Sequence, residues 1–240
     1  MKNKLIVANL KMNFFAQDLK EYIENIGFIN SDNIVICPTN MYIPYFLNKN
    51  YSVGIQDICF KNEGLYTGEV SALQAKSIGV NYAIVGHSER RINFNESNSI
   101  INEKIKSCLE SNMKVILCVG ETIEEKENCI TIETIKEQIL ESLHNIDDLT
   151  NIYIAYEPIW AIGTNKIPEL EEIKQNILKI KQIIIEHFDF NNIRVLYGGS
   201  VNSYNISDLN IDIIDGFLIG NSSLNPTELK KIIDIVNRQN

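Results

Sequence analysis

Apolar residues in this 240-residue chain come in short runs, separated by longer stretches in which they recur every three or four positions. The runs fall at 5–9, 34–37, 53–56, 82–85, 115–119, 152–156, 195–197 and 217–219. Runs that are mostly apolar and too short for a helix predict strands covered on both faces. The intervening stretches predict amphipathic helices, most clearly at 99–111, 132–143, 170–187 and 227–237. In the third of these, Ile173, Ile177, Ile180 and Ile184 form one stripe, with Lys174, Lys179 and Lys181 elsewhere on the surface. Glu169, Glu171 and Glu172 suit its positive N-terminal end. Eight strand–helix alternations, with no Pro/Ser-rich linker and no break in composition, predict a single α/β domain over residues 1–240. Its expected architecture is a closed (β/α)8 barrel of eight parallel strands surrounded by helices. An open doubly wound sheet is the alternative from pattern alone. It is weakened by the lack of a Gly-x-Gly-x-x-Gly after the first strand and of a Walker lysine motif.

Composition narrows the function classes. With 45% hydrophobic residues the chain can build a sizeable core, and its net charge of −9 argues against nucleic acid or an anionic membrane as a general partner. An anionic substrate would need a local positive site. Cys37, Cys59, Cys108, Cys118 and Cys129 are odd in number and widely spaced, without a Cys-x-x-Cys pair. That usage predicts reduced thiols in a cytoplasmic protein rather than a disulfide frame or zinc site. No signal peptide or membrane-length apolar run is expected.

In a barrel the strand ends converge in space, so polar residues just after the apolar runs belong to one site. The sixth run ends in Ala155-Tyr156-Glu157-Pro158, where Pro158 stops the ladder and leaves one carboxylate at the mouth beside a loop able to cover it. The first run ends in Asn9-Leu10-Lys11-Met12-Asn13, and the fourth in Gly86-His87-Ser88-Glu89-Arg90-Arg91. The last two runs end in Tyr197-Gly198-Gly199-Ser200-Val201 and Ile219-Gly220-Asn221-Ser222-Ser223. Glycines there let backbone N–H groups approach an anion, and a short following helix would aim its positive end at the same point. One carboxylate, one imidazole, one lysine and a phosphate cradle suit proton abstraction beside a carbonyl.

These segments, together with Tyr66-Thr67-Gly68-Glu69-Val70-Ser71 and Cys118-Val119-Gly120-Glu121-Thr122, resemble the motifs of the triosephosphate isomerase family, in family order and across nearly the whole chain. The resemblance implies a TIM barrel that interconverts dihydroxyacetone phosphate and D-glyceraldehyde 3-phosphate without metal or organic cofactor, as a homodimer. Glu157 matches the family's base and His87 its neutral electrophile, a division of roles that belongs to the family as a whole. Lys11 matches the lysine that offsets substrate charge, with Asn9 beside it, and Glu89 and Ser88 match the shell around the histidine. Phosphate contacts are expected at Asn9, Lys11, Gly163, Ser200, Gly220 and Asn221. Residues 158–166 match the lid, and the loop at Thr67 matches the segment that reaches into a partner subunit. The chain departs from the family at Leu10, often a larger aromatic, at Asn165 and Asn221, usually glycines, and at the altered hinge Lys166-Ile167-Pro168. A related enolising phosphosugar isomerase and a non-catalytic barrel used for binding are the competing functions.

Overall fold

The computed structural model describes residues 4–163 and 167–238. Eight parallel strands close on themselves in sequence order: β1 (Leu5–Asn9), β2 (Ser31–Cys37), β3 (Tyr51–Ile55), β4 (Tyr82–Val85), β5 (Lys114–Val119), β6 (Ile152–Tyr156), β7 (Arg194–Tyr197) and β8 (Gly216–Ile219). Closure is made where β1 pairs with β8, Leu5 opposite Gly216 and Ala8 opposite Ile219. The four clearest helical patterns appear as Asn98–Glu110, Thr131–Ser142, Leu170–Phe188 and Pro226–Arg238, each within one residue of expectation at either end. All four isoleucines of the stripe on Leu170–Phe188 are fully buried. No helix among the described residues is long and apolar enough to cross a membrane.

Strand parity explains the unbroken apolar runs. Successive side chains point to opposite faces of a strand, and here both faces are covered. Ile6 and Ala8 pack outward into a large cluster shared with the helices. Leu5 and Val7 point inward and join Cys37, Ile116, Tyr153, Leu196 and Leu218 in a smaller cluster that fills the barrel. The interior is thus a packed core, and a cavity opens where the inward-facing side chains stop, at the C-terminal ends of the strands.

Candidate active site

Continuing the inward parity one step past this core gives Asn9 on β1, Gly120 after β5, Glu157 after β6, Gly198 after β7 and Gly220 after β8. Asn9 and Glu157 supply side chains to this layer, and the glycines leave space around them. The ladder itself continues past the strand ends: Glu157 N–H donates to the Val119 carbonyl at 2.8 Å, and Gly198 N–H to the Tyr156 carbonyl at 2.8 Å. Pro158 follows with φ −63° and ψ 98° and has no N–H to give, yet on the β5 side the bonding runs one step further than expected, with Ile159 N–H donating to the Glu121 carbonyl at 3.0 Å. Glu157 is therefore held on a rigid element and not on a mobile loop. A Cβ at Gly120 would lie 1.8 Å from the Glu157 carbonyl oxygen, and one at Gly198 would lie 2.8 Å from Glu157 Cγ. At Gly120 the obstacle is backbone, so only glycine fits, whereas a side chain at Gly198 would push the Glu157 side chain aside.

Glu157 is 2% exposed and His87 5%. His87 Nε2 lies 3.1 Å from Glu157 Oε1, while the Ser88 backbone N–H donates to Glu157 Oε2 at 3.3 Å. Burial disfavours the ionised Glu157, but the adjacent His87, the bond from Ser88 N–H and the charge of Lys11 outweigh it, leaving its pKa below the usual carboxylate range. Burial likewise opposes a charged His87, and the neighbouring Glu157 and Glu89 carboxylates more than offset it, raising the imidazole pKa. Against that pull, His87 Nδ1 accepts the Glu89 backbone N–H at 3.2 Å, capping the helix Ser88–Phe94. A protonated ring has no acceptor nitrogen, so this contact requires the neutral tautomer with its proton on Nε2, aimed at Glu157.

Lys11 has φ 50°, a left-handed backbone that a lysine rarely adopts. The conformation is pinned from three sides. Lys11 N–H donates to Asn9 Oδ1 at 3.0 Å, and its carbonyl accepts from Thr39 Oγ1 at 3.0 Å and Gln56 Nε2 at 2.8 Å. Its ammonium reaches Glu89 Oε1 at 2.6 Å. Neither Thr39 nor Gln56 carries a local sequence signal for this role, since each acts on a backbone carbonyl of another strand end.

Asn9, Lys11, His87, Glu157, Gly163, Ser200, Gly220 and Asn221 line one cavity at the barrel mouth. After β8 the loop runs at once into the short turn Asn221–Leu224, the local arrangement expected there. After β7 the expectation of a directly following helix is not met. The next helix, Ile206–Leu209, starts five residues past Val201, because Asn202 and Asn205 fold the intervening segment into a side-chain-bonded turn. Ser200 spends its hydroxyl on the Ala161 carbonyl at 2.7 Å, tying this loop to the segment after Glu157. Glu89 does not line the cavity. It is half-exposed and acts through Lys11 and His87. Thr67 is exposed, away from the cavity of its own chain. Leu10 is buried in the core. Asn165 and Lys166 lie outside the described residues.

Two residues past the end of β5, Glu121 is fully buried and accepts from Trp160 Nε1 at 2.8 Å and from the Tyr156 hydroxyl at 3.3 Å. Burial raises its pKa. This places the start of the segment after Pro158 against β5 and β6, a link that the motif around Glu121 does not reveal when read in sequence.

A family model described as Triosephosphate isomerase matches residues 4–236. The protein named triosephosphate isomerase in Thermodesulfovibrio yellowstonii is 41% identical over 244 residues, covering 97% of this chain and 99% of that protein. Those of the same name in Dictyoglomus thermophilum and Ureaplasma parvum are each 40% identical, over 97% and 96% of this chain and 99% and 98% of their own lengths. A closed eight-stranded barrel, a buried carboxylate facing an imidazole at its mouth, and similarity along nearly its whole length agree: the chain belongs to the triosephosphate isomerase family.

Proposed function

We propose that Glu157 is the base that moves the proton as the chain interconverts dihydroxyacetone phosphate and D-glyceraldehyde 3-phosphate. The observation carrying this assignment is the buried Glu157 carboxylate 3.1 Å from His87 Nε2 inside the cavity. Substrate enters between the two groups. Glu157 takes a proton from C1 of dihydroxyacetone phosphate as the C1–C2 double bond of an enediolate forms, and the carbonyl electrons move to oxygen. His87 Nε2–H donates to that oxygen, and Lys11 offsets the growing negative charge in a site largely closed to water. The C2 oxygen takes the His87 proton, the C1 hydroxyl gives its own proton back to the ring, and return of the carbon-bound proton from Glu157 to C2 then gives the aldehyde. Asn9 holds Lys11 and faces the substrate, and Glu89 holds the Lys11 ammonium and the His87 ring.

The phosphate is assigned to the backbone around Gly163, Ser200, Gly220 and Asn221, at the opposite end of the cavity from β4. Residues 158–166 are assigned as the lid that excludes water during the reaction. No cofactor takes part. A homodimer is the proposed working form, with the exposed loop at Leu65, Tyr66 and Thr67 as its contact, supported by the exposure of Leu65, Met12, Phe15 and Met41. The whole chain is proposed to act as one cytoplasmic domain, without nucleic acid or membrane as partner. The deciding experiment is coupled turnover of glyceraldehyde 3-phosphate by wild type and Glu157→Gln. Collapse of rate in a folded variant is expected, and near-normal turnover would remove Glu157 from its role. Sedimentation and activity on dilution test the dimer, which predicts dissociation and loss of activity together.

A further inference from the structure

Arg91 lies four residues after His87 on the helix Ser88–Phe94, and its backbone N–H donates to the His87 carbonyl at 3.2 Å. Its guanidinium folds back toward the strand ends. Nε donates to the Gly86 carbonyl at 2.8 Å, Nη2 to the Cys118 carbonyl at 3.2 Å and Nη1 to Asn98 Oδ1 at 2.6 Å. One planar fork thereby joins the end of β4, the end of β5 and the start of the helix Asn98–Glu110. Gly86 makes room for it, since a Cβ there would lie 3.1 Å from Arg91 Nη2.

All three partners are neutral. Arg90, next in the chain, pairs with Asp57 at 3.0 Å and Glu96 at 2.6 Å, whereas no carboxylate among the described residues lies within 4.0 Å of Arg91. Burial lowers the Arg91 pKa, opposed by the Cys118, Glu157 and Glu96 groups. A cation held away from water without an ion pair is costly unless its charge is used. Its Nη2 sits on the Cys118 carbonyl, one residue before Val119, whose carbonyl accepts the Glu157 N–H at 2.8 Å, so the charge stands beside the strand end that holds the catalytic carboxylate. The other groups facing Glu157 are His87 after β4, Lys11 after β1 and Cys118 on β5. Substrate separates His87 from Glu157, Lys11 is shared with Glu89, and the buried Cys118 thiol is neutral with its pKa pushed well up. Arg91 does not line the cavity, so a substrate bound there leaves its three bonds in place.

We propose that Arg91 is a positioning residue for the isomerisation: its fork sets the His87 turn against β5, and its charge keeps Glu157 ionised while substrate stands between Glu157 and His87. The inference rests on the assignment of Glu157 as base. The test is the pH dependence of kcat, which reports the enzyme–substrate complex, for Arg91→Gln and Arg91→Lys beside Glu157→Gln, with thermal unfolding to establish folding.

For Arg91→Gln the acid limb should move up by about 0.5–1 pH unit. Its plateau should fall about 10-fold, with KM for glyceraldehyde 3-phosphate changed little because the phosphate cradle lies on β7 and β8. Arg91→Lys should keep the wild-type limb and still lose plateau rate, because an ammonium cannot reproduce the fork. A folded Arg91→Gln with an unmoved limb overturns the electrostatic role, which a purely structural residue would also leave unmoved. If that variant does not fold, a shifted limb or full plateau rate in Arg91→Lys overturns the inference instead. Turnover by Glu157→Gln would defeat the base assignment itself. Its inactivity beside an unmoved Arg91→Gln limb would defeat only the inference.

Discussion

Gly198→Ala isolates how tightly the base is held. Gly198 is not in the left-handed backbone region, so alanine adds no conformational strain and the substitution acts through one methyl group. Its Cβ would sit 2.8 Å from Glu157 Cγ, whereas ordinary contact begins at 3.4 Å, so restoring ordinary contact needs a retreat of the carboxylate stem by about 0.6 Å. The Glu157 backbone cannot follow, because its N–H is bonded to Val119 and its carbonyl stands over Gly120. The displacement is therefore passed to the carboxyl group and its 3.1 Å contact with His87. A misplacement approaching 1 Å in a positioned catalytic group costs on the order of 10²-fold in rate. The expected loss in kcat is about 10–100-fold, or roughly 1.4–2.7 kcal/mol in the barrier. KM should stay within about 3-fold, because uniform binding is untouched. Steady-state kinetics in both directions, with thermal unfolding as the control for folding, measure it. A folded Gly198→Ala enzyme with kcat within about twofold of wild type would show that Glu157 has slack in its site, and would refute a base fixed by its neighbours.

Three further outcomes follow from the same geometry. Gly120→Ala places a Cβ 1.8 Å from the Glu157 carbonyl oxygen, backbone against backbone, so it should cost more than about 3 kcal/mol or prevent folding, measured by urea denaturation. Burial raises Asp57 to a pKa of about 6, with Lys104 beside it and Glu96 nearby. The folded chain thus holds that proton more tightly than the unfolded chain, so stability from this group is fully present below about pH 4 and is lost as pH rises through about 6. Across that range the unfolding free energy of Asp57→Asn should improve relative to wild type by on the order of 1–3 kcal/mol, and a trend of opposite sign refutes the assignment. Of the five cysteines only Cys129 is exposed, so a thiol reagent should label one site in native protein and all five after denaturation. Rapid native labelling of Cys118 or Cys37 would contradict the packing of the barrel.

The chain's own pattern determined the barrel. Unbroken apolar runs state that strands are buried on both faces, and their alternation with helical stripes leaves little room for another topology. The pattern was weakest where polar residues enter the ladder: β2 begins at Ser31, three residues before its apolar run, because pairing with β3 and not apolarity holds Ser31 in place. Glu157, His87 and Lys11 were legible because each follows an apolar run and so must lie at the mouth. The polar cluster after β4 was visible as composition. That it is a helix capped by the His87 ring, which fixes the tautomer, depends on a bond between Nδ1 and a backbone N–H.

What tertiary structure alone decided is the support around those residues. Lys11 takes its left-handed backbone from Thr39 and Gln56, Glu157 its space from Gly120 and Gly198, and the His87 turn its footing from Arg91. These contacts join a side chain to the backbone of another strand, or depend on the absence of a side chain. Neither kind leaves a periodicity in the chain. Hydrophobic burial repeats with the geometry of its element and can be read from sequence, whereas the positioning of a base is set once, by strands that meet only when the barrel closes.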